Sequence, residues 1–183
     1  MLFGPETVSG FDYAPGQIPP DEEQALVAQI RTLPLQPFRF HGYLGNRRVA
    51  SFGYRYDYVR RKVEASQPIP DFLLAARACA AKLAGLAADK FVQALVTEYA
   101  PGAGIGWHKD KPMFEKVVAL SFAAPCVLRL RRPNGRSWER ASAEIPPRSS
   151  YLLSGAARED WQHSITPMDR LRYSVTFRSF RPS

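Results

Sequence analysis

With 183 residues, 45% of them hydrophobic, the chain can bury one core and is too short to expect two domains. Its two cysteines, Cys79 and Cys126, make no disulfide framework, which excludes a disulfide-stapled secreted scaffold and suits buried thiols in a reducing cytoplasm. A formal net charge of +8 and a pI near 9.8 fit either a polyanionic partner such as nucleic acid or an Arg-rich solvated surface. No apolar run approaches the length of a membrane span, and Met1–Glu6 lacks the basic start and apolar centre of a signal peptide. The expectation is a cytoplasmic monomer with no membrane contact, occupying 1–183 as one domain.

Residues 1–20 end in Pro19-Pro20 and read as irregular. Asp21 is placed to cap a helix over Glu22–Thr32, with Leu26, Ile30 and Leu33 on one face. Pro34 and Pro37 break that pattern. Phe38–Tyr58 is aromatic and basic, with Gly42, Gly45-Asn46 and Gly53 as turn residues, and predicts one or two exposed hairpins. Pro70-Asp71 opens a second helix, running to about Ala88 through Leu73, Leu74, Cys79 and Leu83. After Lys90 come strand-like runs: Phe91–Tyr99, Val117–Ala123, Val127–Arg131, Ser149–Leu153 and Leu171–Phe180. Helices followed by short strands predict an α+β chain with a β-sandwich or jelly-roll core.

Trp107-His108-Lys109-Asp110 carries a possible metal site. In extended backbone, residues i and i+2 face one side, so His108 and Asp110 can aim at a common point while Lys109 points away. The chain has three histidines. His163 lies in the strand-like piece Asp160–Ile165, and His41 precedes a glycine in the aromatic loop, where a surface or packing role suits it better. Two histidines and one acid suit the facial triad of non-haem iron(II) oxygenases, and they also suit zinc. An H-x-D pair alone equally fits a capped loop. Trp107 reads as core.

Arg172-Tyr173-Ser174-Val175-Thr176-Phe177-Arg178 alternates. Tyr, Val and Phe share one face; Arg, Ser, Thr and Arg share the other. A surface strand has the same pattern. Six residues of strand span roughly 20 Å, so two inward-leaning arginines leave a gap of about 6–8 Å, the size of a short dicarboxylate. Beside a possible iron ligand, that gap suits 2-oxoglutarate.

Taken together, Tyr99-Ala100-Pro101-Gly102, His108-x-Asp110, His163 and Arg172-x5-Arg178 resemble the AlkB family of dealkylating oxygenases over roughly residues 40–180. The resemblance implies a double-stranded β-helix core at about 90–181, N-terminal helices packed outside it, and a β-hairpin lid at about 38–61. It implies that His108, Asp110 and His163 bind Fe(II), and that Arg172, Arg178 and Tyr99 bind 2-oxoglutarate. Thr97 and Ser174 stand where many members carry Asn. Ser51-Phe52-Gly53-Tyr54-Arg55-Tyr56 is similar to the lid of DNA-repairing members, which would give Tyr54 a backbone phosphate. Arg48, Phe52, Tyr56 and Lys109 are further candidate substrate contacts, and Arg47, Arg55, Arg60 and Arg61 offer additional positive charge.

Two features depart from the repair enzymes. Pro112 stands two residues after the acid ligand, where some members read the base with an acid. The tract Ala124–Arg132 is more similar to a less characterised bacterial branch. The implied activity uses Fe(II), 2-oxoglutarate and O2 to demethylate or dealkylate bases in DNA or RNA, a repair reaction. The same chemistry on a protein side chain or a modified tRNA nucleoside is the alternative. A non-catalytic nucleic-acid-binding domain is disfavoured by the complete triad and both arginines.

Overall fold

The computed structural model of the chain describes residues 2–4, 8–40 and 43–183. His41 and Gly42, read above as a packing residue and a turn, lie outside the described residues.

The chain begins with β1 (Leu2–Phe3), β2 (Phe11–Ala14) and α1 (Pro20–Arg31). Two hairpins follow, β3 (Gln36–Phe40) with β4 (Tyr43–Phe52), and β5 (Tyr54–Asp57) with β6 (Lys62–Ala65). Next are α2 (Leu74–Ala84), β7 (Phe91–Tyr99), β8 (Ile105–His108), β9 (Phe114–Phe122) and β10 (Cys126–Asn134). The chain finishes with β11 (Ser137–Ile145), β12 (Ser150–Leu153), α3 (Gly155–Glu159), β13 (Gln162–Ile165) and β14 (Arg172–Phe180).

Seven strands form one sheet in the order β2-β12-β9-β14-β7-β4-β3, and five form another in the order β1-β11-β10-β13-β8. β5 and β6 form a separate ladder. The result is the α+β double-stranded β-helix implied above. No helix among the described residues is long and apolar enough to cross a membrane.

Strand alternation builds two cores. Tyr173, Val175 and Phe177 of β14 join Ala94 and Val96 of β7 and Val118 and Leu120 of β9 beneath Val27, Ile30, Leu73 and Ala80 of the helical layer. The opposite residues of the same strands turn inward between the sheets, where Leu128, Leu130, Ala141 and Ile165 of the five-stranded sheet meet them. β14 is paired on both edges, to β7 and β9. Its polar face is therefore interior: Arg172 is 0% and Ser174 3% exposed, which removes the surface-strand reading. Phe177, fully buried against Phe91 at 6.1 Å between ring centroids, is central to the helix-side core. Phe177→Ala is expected to cost about 3–5 kcal/mol in a denaturant titration, from lost transfer energy and the cavity left behind.

Element ends differ from expectation for local reasons. α1 starts at Pro20 behind Pro19, with no side-chain cap, so Asp21 is a first-turn residue beside Glu22 and Glu23 rather than the cap. Proline's fixed φ suits the first helical position, and acids there complement the helix dipole. The second helix begins as a 3₁₀ turn at Asp71–Leu73 and stops at Gly85, in left-handed conformation (φ +63°), short of the expected Ala88. Leu74, expected on its apolar face, is exposed.

β2, β11 and α3 carried little sequence signal. β11 alternates Ala inward against Arg, Ser and Glu outward, a pattern too weakly apolar to stand out. The segment read as exposed hairpins is only partly so. β4 pairs with β7 inside the large sheet from Arg47↔Tyr99 to Phe52↔Ala94, and Phe52 is buried. Gly53 makes the turn into β5 at φ +77°, and a Cβ there would lie 1.9 Å from the Val92 carbonyl oxygen. No other residue fits that approach.

Candidate active site

A cavity of about 1020 Å³ opens between the two sheets. β8 and β13 bring two histidines into it as a direct cross-strand pair, His108↔His163, with ring centroids 4.2 Å apart. Asp110, two residues beyond His108, turns its carboxylate to the same point. Its Oδ2 lies 3.6 Å from His163 Nε2, and its Oδ1 accepts from Arg178 Nε at 2.6 Å. Lys109 borders the cavity, and its Nζ is held by the Glu159 carbonyl oxygen, to which it donates at 2.6 Å.

His108 Nδ1 lies 2.8 Å from the Gly106 carbonyl oxygen. Only a protonated Nδ1 can donate there, which leaves the Nε2 lone pair free. Burial pushes His108 down and His163 down to about 3, so both rings are neutral near pH 7. Burial works against ionisation of Asp110, but Arg178, then His163 and His108, hold its carboxyl well below the usual range.

Two neutral imidazoles and one ionised carboxylate are the donor set a divalent cation requires. Asp110 Oδ2 is buried with no hydrogen-bond partner among the described residues, as expected of an atom reserved for a ligand. The separation of 3.6 Å exceeds the roughly 3 Å edge between two ligands each about 2.1 Å from one ion. Among the described residues, accordingly, no trio is already drawn up in coordinating geometry.

β14 supplies the cationic wall. Arg178 bridges Asp110 and Gln93, its Nη1 donating to Gln93 Oε1 at 3.1 Å. Arg172 is completely buried. Its Nε donates to Ser121 Oγ at 2.9 Å and its guanidinium stacks on Tyr99 at 4.9 Å, while Nη1 and Nη2 have no partner among the described residues. Tyr99, Thr97 and Ser174 line the cavity; Arg172, fully buried, is not among the lining residues. Both pairs Tyr99↔Arg172 and Thr97↔Ser174 are cross-strand neighbours of β7 and β14.

Several residues of the site have no local sequence signature. Tyr151 of β12 lines the cavity and is kept neutral by burial. Gln93, 4% exposed, receives Arg178 on its oxygen and donates from Nε2 to the Tyr54 carbonyl at 3.1 Å, linking β5 to the Asp110 carboxylate. Arg158 of α3 donates to the Lys111 and Phe114 carbonyls and pins the loop after Asp110. Each of these depends on contacts far apart in the chain.

The expected substrate contacts divide. Tyr56 borders the cavity, with Lys111 Nζ 4.4 Å above its ring and 4.9 Å from that of Tyr58. Phe52 reaches the cavity from the core. Arg48 does not: alternation on β4 sends it to the other face, paired with Glu98 at 2.7 Å, and Arg47 takes the cavity side against Phe38. Tyr54 packs edge-on against Phe180 at 5.0 Å and lies outside the cavity lining. Arg55 and Arg60 are engaged by Glu64 at 3.2 and 2.9 Å, which lowers their value as phosphate contacts. Pro112 gives its carbonyl to Arg181, and Lys111 is the residue after Asp110 that lines the cavity. Trp107 is not core; it is half-buried against the guanidinium groups of Arg129 and Arg131.

The family model of the 2OG-Fe(II) oxygenase superfamily matches residues 10–178. The chain belongs to that superfamily. As a 2OG-Fe(II) oxygenase it is a dioxygenase enzyme that uses Fe(II), 2-oxoglutarate and O2. Its relatives make it AlkB-like. It is 28% identical over 168 residues, 86% of this chain, to the mouse tRNA (carboxymethyluridine(34)-5-O)-methyltransferase ALKBH8. The Xenopus tropicalis protein of that name is 32% identical over 68% of the chain, and the Arabidopsis thaliana alkylated DNA repair protein ALKBH8 homolog is 28% identical over 95%. The chain spans 24% of the mouse protein, 20% of the Xenopus protein and 56% of the Arabidopsis one. Among solved structures, OsALKBH1 superposes with a TM-score of 0.69 at 16% identity, covering 93% of this chain and 96% of that one. A Pseudomonas putida prolyl-4-hydroxylase superposes at 0.63 and 15%, covering 94% and 93%. These two likenesses concern the fold.

Proposed function

We propose that this dioxygenase oxidises an alkyl group on a nucleobase of DNA or RNA, with His108, Asp110 and His163 holding the iron. Iron(II), 2-oxoglutarate and dioxygen together supply an oxidant that replaces a C–H bond with C–OH. The protein's own groups arrange the rest. Arg178 neutralises and orients Asp110. Arg178 near the iron ligands and Arg172 deeper between the sheets receive the two carboxylates of 2-oxoglutarate, helped by Tyr99, Thr97 and Ser174. A hydroxylated N-alkyl carbon is a hemiaminal, which releases an aldehyde and leaves the unmodified base.

The observation that carries the nucleobase reading is the cluster of Lys111, Tyr56 and Tyr58 beside Asp110. It offers aromatic faces to a base taken out of the stack and a cation to its flanking phosphate. Arg47 over Phe38 repeats the arrangement across the mouth. The net charge of +8 agrees, and the unpaired cysteines suit a reducing cytoplasm. A modified tRNA nucleoside is the second reading, favoured by the tRNA named for the mouse and Xenopus relatives.

Methylated DNA and RNA oligonucleotides, tRNA and methylated peptides are incubated separately with protein, iron(II) and 2-oxoglutarate in air, then analysed by mass spectrometry. Loss of methyl groups from oligonucleotides is the expected result. Oxidation confined to tRNA selects the second reading, and demethylation or hydroxylation of peptides alone overturns both.

A further inference from the structure

The outer face of the five-stranded sheet carries a row of arginines and tryptophans that the oxygenase chemistry does not use. Along β10, Leu128 and Leu130 fill the space between the sheets, so Val127, Arg129 and Arg131 face outward. Helices α1 and α2 pack on the seven-stranded sheet and leave this face open: Val127 is 39% and Trp138 36% exposed.

Arg131 lies between two indoles, 4.4 Å from the ring of Trp107 and 4.1 Å from that of Trp138. Arg129 stacks on the Trp107 ring at 4.9 Å. Each guanidinium is oriented by one bond at Nε, Arg129 to Ser164 Oγ at 3.0 Å and Arg131 to Gln162 Oε1 at 2.8 Å. Their terminal nitrogens have no hydrogen-bond partner among the described residues, and no described carboxylate lies within 4.0 Å of Arg129, Arg131 or Arg140. Glu144 is exposed on the same face opposite Val127 and pairs with none of them.

The row also sets like charges on neighbouring strands. Arg131 and Arg140 stand directly opposite each other in the β10–β11 register, and like charges so placed destabilise a sheet. An anion between them turns that cost into an attraction. The row also reaches the active site: Trp107 borders the cavity and immediately precedes His108. From β8 across β13 and β10 to β11 is three strand spacings, about 14 Å. Oriented guanidinium forks suit phosphate oxygens, and an exposed indole suits an unpaired base.

We propose that this face is a second nucleic-acid contact surface. It holds single-stranded chain flanking the nucleotide in the cavity, with phosphates on Arg129, Arg131 and Arg140 and a base against Trp138. The proposal rests on the nucleic-acid reading of the substrate.

The test is fluorescence anisotropy of short labelled single-stranded RNA and DNA over a salt series, with wild type, the double variant Arg129→Gln/Arg131→Gln, and Trp138→Ala. Folding is checked by circular dichroism melting. The double variant is expected to bind about tenfold or more weakly, with the log–log salt slope reduced by about 0.7 for each of two lost phosphates. Trp138→Ala is expected to weaken binding about fivefold with the slope unchanged, because stacking releases no counterions. Wild-type binding that the variants leave unaltered in affinity and slope overturns the surface and leaves the substrate reading standing. A wild type that binds neither oligonucleotide overturns both. Should the double variant not fold, Trp138→Ala decides alone, and unaltered affinity overturns the surface.

Discussion

Replacing His163 with alanine is expected to abolish 2-oxoglutarate turnover, by more than about 100-fold, and to remove iron binding with little change in folding. Loss of a partner that merely orients a metal ligand costs 10–100-fold, and loss of a ligand itself should exceed that. His163 is 8% exposed, with a neutral ring, and is paired across the sheet with His108. Asp110 keeps its bond to Arg178 when the ring is gone, so no buried carboxylate is left bare. Iron titration calorimetry and succinate release measure the two effects separately. A variant that retains full turnover shows that the iron is held elsewhere.

Replacing Arg172 with methionine is expected to separate stability from cosubstrate binding. The guanidinium is fully buried with two nitrogens unpartnered among the described residues. An unpaired buried charge costs several kcal/mol, and exchanging it for an apolar side chain of similar length is often neutral or stabilising. Ser121 loses its donor, a loss of about 1 kcal/mol. The ligand-free variant is therefore expected to melt no lower than wild type. Affinity for 2-oxoglutarate is expected to fall by roughly 10²–10⁴, since the two charge-assisted hydrogen bonds of Nη1 and Nη2 contribute about 1.5–3 kcal/mol each. The thermal shift that 2-oxoglutarate gives wild type should correspondingly vanish. An unaltered dissociation constant would move the second carboxylate away from Arg172.

The second helix and the last strand show what local sequence can carry. Leu73, Cys79 and Leu83 mark a helical period, and the structure keeps them on the core side. It cannot place the helix end, because Gly85 stops the helix while the apolar pattern continues through Leu86. In β14 the alternation was fully legible, but whether the polar face met water or the interior was not. That depended on β7 and β9 closing both edges and on a second sheet covering the arginines.

The segment expected to form a lid shows the opposite limit. Its composition is basic and aromatic, yet composition does not assign sides. Pairing of β4 with β7 sends Arg47 to the cavity and Arg48 to Glu98, fifty residues away in the chain. Glu64 engages Arg55 and Arg60 through the β5–β6 register, and Tyr54 turns to Phe180 at the far end of the chain.

By itself, then, the sequence determined which candidate donors the chain offers and in what order. The order His-x-Asp, His, Arg-x5-Arg specifies donor types and spacings, and these are set by covalent connectivity and strand periodicity. The tertiary structure alone decided that the polar face of β14 is interior, that Gln93, Tyr151 and Arg158 belong to the site, and which arginines remain free. The reason is physical: a charge's worth depends on its partners and its burial, and both are supplied by residues distant along the chain.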